Sequence, residues 1–125
     1  MDDDLKELVD YLEEVILDYE RHVENIGKLG LTAPMTLYYR DEVQETLELL
    51  EGEVEVDTQP YWLRVVELDR LLKACMQELV DEIGHANFKQ YQIINDPPRA
   101  RWWWYLNREA RSPQPPPAFW QFWKK

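Results

Sequence analysis

The stretch DLKELVDYLEEVILDYERHVENIG, residues 4–27, decides the fold, because its apolar side chains recur at intervals of three and four. The positions on this line are Leu5, Leu8, Leu12, Val15, Tyr19, His22 and Ile26. A wide apolar stripe with this period is typical of a helix that packs one face against a core. Asp2, Asp3 and Asp4 precede it, where carboxylates can cap a helix. We therefore predict a helix over residues 4–27, stopped by Gly27 and Gly30.

Two further stripes follow the first. Tyr39, Val43, Leu47 and Leu50 predict a helix over residues 35–51, which starts after a proline and ends at a glycine. The segment 53–56 alternates like a strand, but four residues without a partner indicate an extended connection. Apolar residues at helical spacing then predict a third helical region over 60–94, which Gly84 either breaks or weakens.

The predicted helical region must end at Asn95-Asp96-Pro97-Pro98, because two prolines cannot continue a helix. We expect a short helix from there to about Arg111, with Asp96 as its cap and Trp103, Leu106 and Ala110 on one face. Residues 112–125 contain four prolines and are predicted to be extended.

These patterns predict an all-α fold, an antiparallel bundle of three long helices with a short C-terminal helix and an extended Pro/Trp-rich tail. The predicted divisions are an acidic bundle over 1–94, an aromatic and basic helix over 95–111, which packs on the bundle or on a partner, and a tail over 112–125. Helices that leave a face uncovered often dimerise, so a homodimer is a second possibility.

The charge is divided at the same boundary. Residues 1–94 carry 8 basic and 23 acidic side chains, a net of −15, whereas residues 95–125 carry 6 and 2, a net of +4. The two parts therefore have different partners or attract each other. Because phosphate affinity comes mainly from Lys and Arg, the acidic body argues against nucleic-acid binding.

The single cysteine, Cys75, cannot form an internal disulfide, so the fold does not depend on oxidation. It lies on a predicted core seam, where a thiol is usually inert. The start Met1-Asp2-Asp3-Asp4 is the opposite of a basic signal-peptide start. We predict a cytoplasmic protein.

The histidines offer one route to chemistry. Asp18 precedes His22 by four residues, and Glu82 precedes His85 by three, so each pair lies on one helical face. Carboxylate-bridged di-metal bundles use Glu-x-x-His pairs from two helices, and only one such pair is present here. The metal hypothesis places Asp18, His22, Glu82 and His85 between the first and third helices. The alternative is a buried His22–Glu82 hydrogen bond or a solvated His85.

The aromatic C-terminus is the least ordinary feature of the chain. The last quarter holds 5 of its 6 tryptophans: Trp102, Trp103, Trp104, Trp120 and Trp123. Three consecutive rings cannot share one helical face, so at least one should point away from the core of its own domain. The region either caps its own bundle, docks on a partner protein or a second copy, or, less favoured, anchors at a membrane surface.

With no catalytic set in the sequence, we predict a non-catalytic helical protein–protein interaction module, such as an adaptor, assembly factor or regulator. Its partner is another protein or a second copy, and no cofactor is expected. The residues predicted to make contact are Trp102, Trp103, Trp104, Phe119, Trp120, Phe122 and Trp123. The alternative is a small helical metalloprotein or enzyme that uses the four ligands named above.

Overall fold

The computed structural model describes residues 2–110, and every regular element in that range is helical. The α-helices are α1 (Asp3–Glu24), α2 (Met35–Leu50), α3 (Gln59–Ala74), α4 (Met76–Ile83), α5 (His85–Asn95) and α6 (Leu106–Glu109). Short 3-10 helices lie at Gly30–Thr32 and Trp102–Tyr105. The predicted all-α class is thus confirmed for this range. The predicted extended tail, residues 112–125, lies outside the described residues.

Helix α1 begins as its sequence predicts. The Asp2 carboxylate accepts a hydrogen bond from the backbone N–H of Leu5 at 2.7 Å and so caps the first turn. The helix ends at Glu24, before the predicted stop, and Gly27 and Gly30 then adopt φ values of +98° and +60°. These glycines shape the connection to α2, because L residues with a side chain rarely adopt such backbone angles.

The core lies along the apolar stripes of α1 and α2. Leu12 and Tyr19 of α1 are completely buried, as are Val43 and Leu47 of α2. Tyr11 bonds to Glu42 on α2, and His22 near the other end of α1 packs on Tyr39. The two helices therefore run in opposite directions, and periodicity correctly located both of them.

The predicted helical region over 60–94 is helical but divided into three helices, because the chain leaves helical geometry at two points within it. One break is at Gly84, where φ is +92°. The other is at Cys75, which has φ −108° and ψ 17° and separates α3 from α4. Leu72 and Leu79 lie on either side of Cys75 and are both fully buried. The spacing around Cys75 is helical, because Leu72 and Leu79 are seven residues apart and would share one face of an unbroken helix.

The predicted short helix after Asn95 starts later than expected. Asp96 does not cap its start; it ends α5 with a left-handed φ of 41°. Regular structure resumes only at Trp102, as a 3-10 helix that leads into α6. Trp103, Leu106 and Ala110, which were predicted to share one face of this helix, are all buried, but Trp103 lies in the 3-10 helix and Ala110 follows the end of α6.

A buried polar junction joins the first three helices. Arg40 of α2 donates to both carboxylate oxygens of Asp69 on α3, from Nε at 2.9 Å and from Nη2 at 3.1 Å. The Tyr19 hydroxyl of α1 donates to the same carboxylate at 2.7 Å. The Arg40 side chain is 4% exposed and that of Asp69 is 14% exposed. This geometry is bidentate, which is the strong form of an ion pair.

Among residues 2–110, no helix is both long enough and apolar enough to cross a membrane. The apolar face of α1 instead faces α2, as the burial of Leu12 and Tyr19 shows.

Asp69→Asn should lower the free energy of unfolding by about 3–5 kcal/mol, because it leaves the buried Arg40 guanidinium without a counter-charge. Urea unfolding followed by far-UV circular dichroism measures the change. Glu67→Gln on the same helix is the matched control, since Glu67 pairs with an exposed Arg70 and should cost no more than about 1 kcal/mol. Equal losses in the two variants would contradict this role for the junction.

Candidate functional site

The segment 101–110, here called the docked segment, packs on α2 through two tryptophans. The indole N–H groups of Trp103 and Trp104 both donate to one carboxylate oxygen of Asp41, each at 2.8 Å. The two residues are 2% and 1% exposed, so both rings belong to the core. A buried indole N–H usually has a hydrogen-bond acceptor, and here the Asp41 carboxylate accepts from both indoles.

Further contacts hold the docked segment in place. Arg101 lies 3.2 Å from Asp41 and 3.3 Å from Glu45. The guanidinium of Arg40 stands 4.2 Å above the Trp103 ring, so the polar junction and the segment share a side chain. Gln92 of α5 donates to the Trp104 carbonyl at 2.6 Å. The segment is therefore fixed to both α2 and α5.

The structure separates the residues that the sequence grouped as a contact surface. Trp103 and Trp104 cap their own helices, which is the first of the three predicted possibilities. Trp102 is half-buried at the edge and meets the Trp103 ring edge-on at 5.6 Å. Phe119, Trp120, Phe122 and Trp123 lie outside the described residues.

Glu82, one of the four predicted metal ligands, serves the connection after α1. Its carboxylate accepts hydrogen bonds from the backbone N–H groups of Gly27, Leu29 and Gly30 at 2.9, 2.8 and 3.0 Å. The predicted His22–Glu82 hydrogen bond is wrong, because Nε2 of His22 is buried without a hydrogen-bond partner among the described residues. Glu82 thus organises a loop.

The other candidate ligands are also dispersed. Nδ1 of His22 lies 3.2 Å from the backbone carbonyl oxygen of Asp18, whose carboxylate faces Arg21. His85 has its nearest acid in Asp81, at 3.9 Å. Within residues 2–110, no three His, Cys, Asp or Glu side chains are grouped so that they could hold a metal ion. The predicted convergence of Asp18, His22, Glu82 and His85 does not occur.

A groove runs between α1 and α2, with a volume of about 450 Å³. We call it the tyrosine groove. Its lining residues are Tyr11, Glu14, Val15, Asp18, Met35, Tyr38, Tyr39 and Glu42. Three tyrosines and a methionine give it apolar walls, and all of its charged lining residues are acidic. This size lies within the range of about 300–1,000 Å³ that is usual for ligand pockets.

Carboxylates dominate the electrostatics of the groove. The Tyr11 hydroxyl donates to Glu42 at 2.8 Å. This bond, burial and the nearby charges of Glu42, Glu14 and Glu45 raise the pKa of Tyr11 to about 12. The carboxylates of Glu14, Asp18 and Glu42 make the surface of the groove negative, and a negative surface attracts cationic groups.

A second pocket, of about 280 Å³, has the opposite charge. We call it the basic pocket. Its lining residues are Lys73, Arg99, Trp102, Tyr105, Leu106, Arg108 and Glu109. Lys73 comes from α3 and the other residues from the segment after α5, so docking of residues 101–110 builds the pocket.

Comparison with known proteins finds no matching family model, no matching curated protein and no matching solved structure. Function must therefore be argued from these surfaces.

Sequence reasoning missed Asp41, the acceptor for both indoles. Asp41 is one of 25 acidic residues and lies beside Glu42, so nothing local distinguishes it from a solvated acid. Its partners are 62 and 63 residues away in the chain.

Asp41→Ala should cost about 2–6 kcal/mol of unfolding free energy, because it leaves two buried indole N–H groups without an acceptor, at about 1–3 kcal/mol each. Chemical unfolding followed by circular dichroism reports the loss. Glu45→Ala is the control one turn along α2, where the contact is only with Arg101 and the cost should stay below about 1 kcal/mol. A neutral Asp41→Ala would show that the segment is held by other contacts.

Tyr11 should ionise near pH 12, well above the ordinary pKa of about 10 for tyrosine. Between these values the unfolded chain loses this proton and the folded chain keeps it, so the contribution of Tyr11 to stability falls as pH rises through that range. NMR titration of the Tyr11 ring carbon measures the pKa directly. Glu42→Gln should lower it toward 10, and Glu45→Gln should lower it less. An unchanged pKa in Glu42→Gln would contradict this assignment.

Proposed function

We propose that the protein is a non-catalytic helical interaction module that self-associates. The tyrosine groove of one copy binds the aromatic and basic segment 119–125 of a second copy. Proposed contact residues of that segment are Phe119, Trp120, Phe122 and Trp123. A cytoplasmic location is part of this proposal.

The observation that carries the proposal is the complementarity between the groove and that segment. The groove has aromatic walls and an acidic rim formed by Glu14, Asp18 and Glu42. Residues 111–125 contain three basic side chains and no Asp or Glu, and the sequence 119–125 is FWQFWKK. Aromatic rings supply contact area, whereas lysines and carboxylates supply attraction and orientation.

The docked segment, which precedes residues 111–125 in the chain, contacts one wall of the groove. Trp104 meets Tyr38 edge-on at 5.1 Å, and Tyr38 lines the groove. Trp104 of the docked segment therefore borders the groove. Residues 111–118 can span up to about 25 Å when extended. Two copies that exchange this segment bury two equivalent contacts, which is the arrangement expected of a closed symmetric dimer.

Truncation after Arg111 tests the proposal. The full chain should show a molar mass that rises from one copy toward two with concentration in analytical ultracentrifugation. The truncated chain should stay at one copy with unchanged helical circular dichroism. A peptide of residues 112–125 should bind the truncated chain, and this binding should weaken at high salt, because its charged contacts are near the surface.

Two variant sets give the experiment its controls. Glu14→Gln with Asp18→Asn removes two rim charges and should weaken peptide binding about tenfold, whereas Glu24→Gln, beyond the groove on α1, should not. Replacement of Trp120 and Trp123 by alanine in the peptide should abolish binding. A full chain that stays at one copy at every concentration would contradict self-association, even if the peptide binds.

A further inference from the structure

The basic pocket contains positive charge that this acidic chain leaves unpaired. Arg21, Arg40, Arg64, Arg70 and Arg101 each have a carboxylate within 4.0 Å. Lys73, Arg99 and Arg108 have none among residues 2–110. Lys6, Lys28 and Lys89 are in no ion pair among these residues either, but only Lys73, Arg99 and Arg108 line one pocket together.

Aromatic rings hold these cations in place without neutralising them. The Lys73 ammonium lies 4.4 Å from the centre of the Trp102 ring. The guanidinium carbons of Arg99 and Arg108 lie 5.8 and 4.8 Å from the centre of the Tyr105 ring. The Tyr105 hydroxyl donates to the backbone carbonyl of Pro97, which fixes that ring. Cation–π contacts orient the three groups and leave their net charge intact.

The charge of the pocket matches a dianion. Its lining has three basic residues and one acidic residue, Glu109, for a net charge of +2. Residues 111–125 contain no Asp or Glu that could neutralise it. The volume of about 280 Å³ accommodates a phosphate group with part of the molecule that carries it.

We propose that the basic pocket binds the dianionic phosphate of a phosphomonoester. A phosphomonoester carries a charge of about −1.5 to −2 at pH 7 and three acceptor oxygens. Arg99 and Arg108 supply planar donor pairs suited to these oxygens, and Lys73 supplies a point charge. Carboxylates and phosphodiesters carry a single charge and leave the pocket partly uncompensated. The site is independent of the tyrosine groove, whose lining residues are different.

Titration of the full chain, followed by ¹H–¹⁵N NMR of the indole and arginine side chains, tests this site. The probes are phenyl phosphate, inorganic phosphate, and dimethyl phosphate as a monoanion. Phenyl phosphate should shift the Trp102 indole and the Arg99 and Arg108 signals saturably, and should bind at least about tenfold more tightly than dimethyl phosphate. Its affinity should fall from pH 7.5 to pH 5, because the second phosphate pKa is about 6.

Arg108→Gln should weaken phenyl phosphate binding about tenfold, the loss expected for one charge-assisted contact. Arg70→Gln on the exposed face of α3 removes a charge elsewhere and should change nothing. Arg108 is exposed, so the variant should unfold at the same urea concentration as the parent.

If phenyl phosphate binds more tightly than inorganic phosphate, the ligand of the site is a phosphate ester. If the two bind equally, the ligand is free phosphate and the proposed ester is wrong. The absence of saturable shifts, or equal affinity for dimethyl phosphate, would overturn the site.

Discussion

A buried guanidinium is the constraint on which the rest of the structure depends. An arginine removed from water needs its charge matched and its donors satisfied. Asp69 of α3 supplies the charge and accepts from Nε and Nη2 of Arg40, and Gln44 accepts from Nη1. Tyr19 of α1 completes the coordination of that carboxylate, and the Trp103 ring covers the guanidinium. One side chain thus sets the relative positions of three helices and of the docked segment. A displacement of any of these elements would expose a charge or leave it unpaired.

Apolar periodicity predicted those helices whose start, end and buried face follow from their own residues. Helices α1 and α2 followed from the spacing of buried side chains such as Leu12 and Leu47. The break at Cys75 did not, because its local pattern is helical, with Leu72 and Leu79 spaced to share one face of an unbroken helix. The sequence also did not predict the hydrogen bonds from Trp103 and Trp104 to Asp41, because they join positions more than 60 residues apart. The metal hypothesis failed for a related reason: a carboxylate with ligand spacing, Glu82, is already satisfied by backbone N–H groups.

The docked segment borders one charged surface of the protein and builds part of another, of opposite charge. On one side Trp104 packs on Tyr38, which lines the acidic tyrosine groove. On the other side Trp102 and Tyr105 hold the cations of the basic pocket. Burial of this segment in its own core therefore does more than cap the helices, because it also builds the basic pocket.

The contacts of Glu82 have a consequence for the order of folding. They join α4 to a loop 52 to 55 residues earlier in the chain, and the loop glycines carry no side chains that could preorganise it. Closing so long a stretch costs entropy before any hydrogen bond repays it. Local hydrogen bonds such as that from the Thr32 N–H to the Leu29 carbonyl shape the connection between α1 and α2 in part. We expect its remaining N–H groups to find their acceptor only after α4 has reached the core, so a residue from the other half of the chain completes the turn of this helical hairpin.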